Sequence, residues 1–424
     1  AFEMFQGGSV HLRDNTLQLT DMHGFLIKNY SGYAYANGQL TEKYGVLDNF
    51  KNTNLQIERS YISVQGESAY GLYFHTLDPE EAAKMLSRND EKLSDMQKII
   101  MGVASVSLSK TKFAVPDGTA IYATGTNGYG AKGILKLSEE TQVSGDLLLK
   151  AENDVSLFVR ADASTLIGGI RTEDVSTVNL QLAHGSTWFL KKRKQRSLQG
   201  LDSPDSSLSS LSLSDSILIF DEDTSDGYQT LRIGKETEIN EKNKGIIKDK
   251  VVINEEDKIV LSKYKRVYSA QGNAQIKLSA FLDDNGSFDP QKTDRILIYG
   301  DISGTTVVHM QNFKNNSGRE VRDGKDQSIS LIQVSGTAKE DSFKLAGSYI
   351  TVNGFPYQYC LRGYGPGSPF GEADATQRLV AGDGKFWDFR LEGLYMNPET
   401  DSSETISSPI SLSDAIDPQP ADLA

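Results

Sequence analysis

The 424-residue chain carries 57 acidic against 44 basic side chains, a net charge of −13, so it repels phosphate backbones and anionic membrane surfaces and nucleic acid is not an expected partner. Its single cysteine, Cys360, excludes an intrachain disulfide and any metal site built from several thiolates. Hydrophobic residues make up 38% of the chain, and 38 glycines stand against 11 prolines, a balance that points to many short strands separated by turns and hence to an all-β class.

Ala1-Phe2-Glu3-Met4 lacks the basic start and apolar run of a signal peptide, and no segment reaches the ~20 apolar residues of a membrane span. The expectation is a mature, soluble chain with no direct membrane insertion. Residues 68–74 and 127–134 share a glycine-containing turn feeding an apolar strand and read as degenerate repeats. Between them, Pro79 suits a first helical turn, and Leu86, Leu93, Met96, Ile99 and Ile100 fall at helical spacing, which predicts a helical excursion over 79–100.

Alternating apolar segments then recur at 134–137, 147–149, 155–159, 166–167, 178–182 and 208–213, spaced by about ten residues. Hairpins of a sandwich favour two-residue Asn-Gly or Asp-Gly turns, whereas the connections at 138–142 and 160–164 are longer. The spacing therefore favours a coil whose rungs take ~20–25 residues, each strand pairing with its counterparts above and below. The predicted fold is a right-handed parallel β-helix, a solenoid.

Lys191, Lys192, Arg193, Lys194 and Arg196 concentrate five positive charges on an acidic protein beside Trp188, a candidate contact for a sulfated glycan or an acidic receptor patch. A solvated loop neutralised by Asp202, Asp205 and Asp221 is the competing reading. Residues 221–266 are charged and poor in aromatics, which predicts an exposed insertion interrupting the coil. Residues 396–424 have the Ser- and Pro-rich composition of a flexible linker, so the folded part is expected to end near Tyr395.

No catalytic residue is assigned. The five histidines are scattered without metal-ligand spacing, and no Gly-Asp-Ser-Gly nucleophile loop occurs. Asp283-Asp284-Asn285-Gly286 departs from a calcium loop and reads as a solvated turn. Cys360 reads as a small buried hydrophobe.

From Val267 to Tyr364 the chain resembles the C-terminal end of bacterial autotransporter passengers, the secreted part of a type V system. Thr293-Asp294-Arg295-Ile296-Leu297-Ile298-Tyr299-Gly300-Asp301-Ile302-Ser303-Gly304 is similar to that family's Asp-Arg and glycine signature. The segments 329–334, 343–345 and 357–359 follow in the family's order. Residues 186–190, 228–234 and 386–390 further resemble autotransporters of Bartonella, among which are proangiogenic passengers.

The resemblance implies a coil over 1–267, an autochaperone-like cap over 268–395, and a linker over 396–424 leading to a translocator barrel outside this chain. Asp294, Arg295, Gly300, Gly304, Tyr357 and Tyr359 would be structural residues of that cap. It further implies a virulence factor at the bacterial surface or secreted, not an enzyme and without cofactors. Its partner would be a host endothelial cell-surface receptor, a vascular endothelial growth factor receptor activated by mimicry of its ligand, with sulfated glycans as a further candidate. An adhesin for host surfaces or matrix is the alternative, and a carbohydrate-active enzyme a third.

Overall fold

The computed structural model describes residues 1–4, 8–28, 53–76, 103–126, 129–192, 205–223, 225, 227–235, 266–283, 287–311, 327–352 and 357–395, together with the backbone of the strands Ser31–Ala36, Gln39–Thr41 and Lys98–Ile100. The chain winds into a parallel β-helix whose strands stack rung on rung. One face runs through Ser9–Arg13, Asn54–Glu58, Ala104–Ser109, Lys132–Ser138, Ser156–Asp162, Thr177–Ala183, Ser210–Ser214, Tyr268–Gln271 and Ile302–Ser303. The second and third faces are joined in the middle of the coil by strands that bend. Lys112–Thr126 shifts register between Val115 and Thr119, so its first half pairs with Tyr61–Gln65 and its second half with Tyr70–Thr76.

Period-2 alternation decides which side chains enter the coil, because successive residues of a strand point to opposite faces of the sheet. On the second face Leu17, Ile62, Phe113, Val143, Leu166, Trp188, Leu218, Ile276, Val308 and Leu345 occupy one continuous interior register. From Ile62 onward all of them are buried. On the third face Leu231, Ile296, Ile332 and Phe389 are stacked in the same way. Backbone hydrogen bonds thus run along the axis, and each rung depends on the next.

The corner between the first and second faces repeats a local solution. A residue with positive φ turns the chain (Arg59 +46°, Lys110 +46°, Glu140 +63°, Ala163 +45°, Gly185 +82°, Asp215 +48°). A buried hydroxyl residue follows each one: Ser60, Thr111, Thr141, Ser164, Ser186 and Ser216. These side chains stack between rungs. The Ser60, Thr111 and Ser164 amides donate to the hydroxyl one rung along, at 3.4, 3.3 and 3.1 Å, and so satisfy donors that the turn would otherwise orphan.

The C-terminal end closes differently. Ser328–Val334 receives Trp387–Tyr395 antiparallel, and Tyr357–Tyr364 pairs antiparallel beyond it. Phe343, Phe389 and Tyr359, all buried, cover the last interior layer, with Phe343 edge-on to Phe389 at 4.9 Å. An uncovered solenoid end would leave that layer in water.

Several expectations need correction. Lys98–Ile100, expected to end a helical excursion over 79–100, is a strand antiparallel to Ser31–Ala36; β-branched Ile99 and Ile100 suit a pleated surface, and residues 79–97 lie outside the described residues. Inside the expected insertion at 221–266, Thr230–Gly234 is a strand of the third face with Leu231 and Ile233 fully buried. Its own alternation outweighs the charge around it, and residues 236–265 lie outside the described residues. The two glycine-strand segments thought equivalent sit on different faces: Tyr70–Thr76 pairs with Lys112–Thr126, whereas Lys132–Ser138 pairs with Ala104–Ser109. Nor does the architecture change at 267/268, since Tyr268–Gln271 continues the first face in parallel. Residues 396–424 lie outside the described residues.

Candidate functional site

At the corner between the second and third faces, strands of the second face end at Leu190, Phe220, Leu282 and Gln311. Three buried polar side chains meet backbone groups there, one of which, the Leu190 carbonyl, also accepts the Asp221 amide at 3.0 Å. Asp294, 1% exposed, accepts the Gln229 amide through Oδ1 and the Ser279 amide through Oδ2, both at 2.9 Å. The Asp294 amide donates back to the Ser279 carbonyl, and the Arg295 amide to the Gln229 carbonyl, each at 2.9 Å. The Gln229 side chain donates to the Leu190 carbonyl one rung earlier at 2.9 Å, and that of Gln311 donates to the Phe220 carbonyl at 2.6 Å.

Burial pushes the Asp294 carboxyl up to about 6, against the opposing effect of the two amides and of the Lys192 charge. Room for the Lys192 ammonium is left by Gly227, where φ is +92° and a Cβ would stand 3.0 Å from Nζ. Lys192, expected as a partner contact, therefore bears on the interior carboxylate, while Lys191 is exposed. Arg193, Lys194 and Arg196 lie outside the described residues.

The remaining cap residues each have a physical task. Gly300 (φ +142°) and Gly304 (φ +85°) occupy conformations that L side chains rarely adopt, and a Cβ on Gly304 would stand 1.9 Å from the Ala270 carbonyl oxygen. Arg295 is partly buried, its ionisation lowered chiefly by burial and supported by Asp388. Asp388 in turn accepts Ser330 Oγ and, at 2.9 Å, Arg390 Nη1. Tyr359 packs edge-on to Phe288 at 5.7 Å and ties the 275–293 hairpin to the closing sheet; Tyr357, half-buried, lies 6.3 Å from it. Buried Gln333 pins the 373–386 segment, accepting Leu379 N at 2.7 Å and donating to the Gln377 carbonyl at 2.9 Å. Cys360 is half-buried opposite Glu392 rather than enclosed.

Residues 242–361 match the family model of the autochaperone domain type 1. The protein carries an autochaperone domain. That domain supports an autotransporter passenger, with secretion to the cell surface or outer membrane and association with its own translocator barrel. No curated protein matches the chain. The autochaperone domain holds Asp294, Arg295, Gly300, Gly304, Tyr357 and Tyr359. It stops short of Trp387–Tyr395, the strand that completes the closing sheet.

A second feature lies on the side of the coil and was not foreseen. Leu26, Tyr73, Tyr122 and Lys150 form one outward column of the third face. Tyr70 and His23 join it: His23 stacks on Tyr70 at 4.7 Å, Tyr70 meets Tyr122 at 4.1 Å, and Tyr73 meets Tyr122 at 5.0 Å. The Tyr122 hydroxyl donates to Glu152, which also pairs with Lys150 at 2.8 Å. Three tyrosines recurring at 70, 73 and 122 were the available signal, legible only once the rungs are in register.

Proposed function

We propose that this passenger acts by binding, not catalysis, as a proangiogenic virulence factor that engages and activates a host endothelial receptor of the vascular endothelial growth factor class. The observation that carries a binding role is the lateral aromatic cluster in which exposed His23 and half-buried Tyr70 and Tyr73 lie over Tyr122, itself buried. Tyrosines presented at a surface combine a large apolar body with a polar tip, the composition of interaction hot spots. The endothelial receptor itself is suggested by the Bartonella-like segments, but these are poor contact candidates: Trp188, Trp387 and Phe389 within them are buried. They serve the fold, and the contact is sought on the side of the coil.

The test adds purified protein to endothelial cells and records receptor phosphorylation, beside Tyr73→Ser and the basic-run variant described below. Phosphorylation by the parent, lost in Tyr73→Ser, supports the proposal. Attachment without phosphorylation makes the protein an adhesin, release of sugar from matrix makes it a carbohydrate-active enzyme, and no response of any kind overturns a role at the endothelial surface.

A further inference from the structure

The hydrophobic stack passes without a break from the coil into the autochaperone domain, but the backbone ladder at the second corner does not. Where the second-face strands end at 220 and 282, the groups met by later side chains are the Phe220 carbonyl and the Gln229 and Ser279 amides, together with the Leu190 carbonyl, which already accepts the Asp221 amide at 3.0 Å and takes a second donor. Each is met by a side chain from further along the chain: Gln229, Gln311 and, twice, Asp294. Every link points the same way, with a later residue completing an earlier rung, and Gln311 reaches back 91 residues. Apolar stacking is non-directional and tolerates slippage, whereas the bonds to the Phe220 carbonyl and to the two amides are buried and leave a costly orphan when broken.

We infer that Gln229, Asp294 and Gln311 form a polar seam that couples the autochaperone domain to the coil on its N-terminal side. Through it the folded end completes rung 217–220 directly and reaches rung 187–190 by way of Gln229, and the two parts unfold as one unit. The inference rests on the assignment of the autochaperone domain, and it names the residues through which that domain acts on its neighbours.

The intact chain carrying Gln311→Leu tests it, since leucine is close to glutamine in volume and removes the bond to the Phe220 carbonyl; Gln229→Leu is the second variant. Hydrogen exchange is followed through a denaturant series at Thr187–Leu190 and Ile217–Phe220, and at Ser328–Val334 and Trp387–Tyr395. In the parent, all four strands are expected to lose protection at one denaturant concentration. In either variant the two upstream strands should exchange about tenfold faster, the loss expected for one buried hydrogen bond, while the closing strands keep their midpoint. Leu331→Ala, a core change within the closing sheet, should lower all four together. If the Gln variants also lower all four together, or leave the upstream strands unchanged, the seam is not the coupling element. Separate unfolding of the two parts in the parent would instead overturn the cap's role itself.

Discussion

Asp294 offers a test in which stability is read against pH. Its carboxyl stands at about 6 in the folded chain against an ordinary 3.8, because burial penalises the charged form more than the two amides and Lys192 favour it. A carboxyl raised by folding binds its proton more tightly in the native state. Its stabilising contribution is therefore fully present below pH 3.8, declines as pH rises through about 6, and is absent above. The difference, roughly 2.2, multiplied by 1.36 kcal/mol gives about 3 kcal/mol. Asp294→Asn abolishes the titration. It also leaves one of the two amides without an acceptor, costing about 1–3 kcal/mol at every pH. Urea unfolding of parent and variant at several pH values between 4 and 7 isolates the effect, since other carboxyls cancel in the difference. The parent should gain roughly 2–2.5 kcal/mol relative to the variant on going from pH 7 to pH 4, most of the full difference. An unchanged difference across that range would refute the reasoning.

Three further outcomes follow from the geometry. Trp188→Ala removes a fully buried ring from the middle of the second-face stack and frees the Gly168 carbonyl that its Nε1 meets at 2.9 Å, so urea unfolding should show a loss of about 4–5 kcal/mol. Gly185→Ala meets nothing within 4 Å and should cost only the left-handed backbone penalty of about 1–2 kcal/mol, whereas Gly304→Ala adds a collision with the Ala270 carbonyl and should cost about 3–4 kcal/mol, as thermal melts of the two variants compare. Changing Lys191, Lys192, Arg193, Lys194 and Arg196 to Ser should weaken heparin or receptor binding about tenfold at low salt if the run is a contact, and equal binding retires it. A version that keeps Lys192 should melt higher than the full variant, because Lys192 supports the Asp294 carboxylate.

The fold was legible where one rule dominated. Val178 to Leu182 alternates cleanly, Ile134 to Leu137 and Val155 to Val159 are short apolar runs of strand length, and their inward members Leu135, Val159 and Leu180 sit on one register. Gly300 and Gly304 were legible as part of a motif, and their positive φ values explain why glycine is needed there. The hydroxyl corner was missed although it has a written form: Ser or Thr two residues before an inward apolar residue, as in Ser60-Tyr61-Ile62, Thr111-Lys112-Phe113 and Thr141-Gln142-Val143. Read singly, each hydroxyl looks like a turn residue. Thr230–Gly234 was hidden because composition over forty residues masked five that alternate. Lys192 was grouped with its charged neighbours, while its actual partner, Asp294, lies about a hundred residues away and no local pattern could join them. The tyrosine cluster is of the same kind, assembled by rung register across residues 70 to 122.

The central claim is that the coil depends on its C-terminal end, and the fragment 1–267 tests it most directly against the full chain. Without residues 268–395 the interior residues Leu211, Leu218 and Leu231 lose the layer stacked on them, the Gln229 amide loses Asp294, and the Phe220 carbonyl loses Gln311. Far-ultraviolet circular dichroism during thermal unfolding should show the fragment with diminished strand signal and a broad transition at lower temperature than the full chain. A fragment that unfolds as cooperatively, and at the same temperature, would contradict the account.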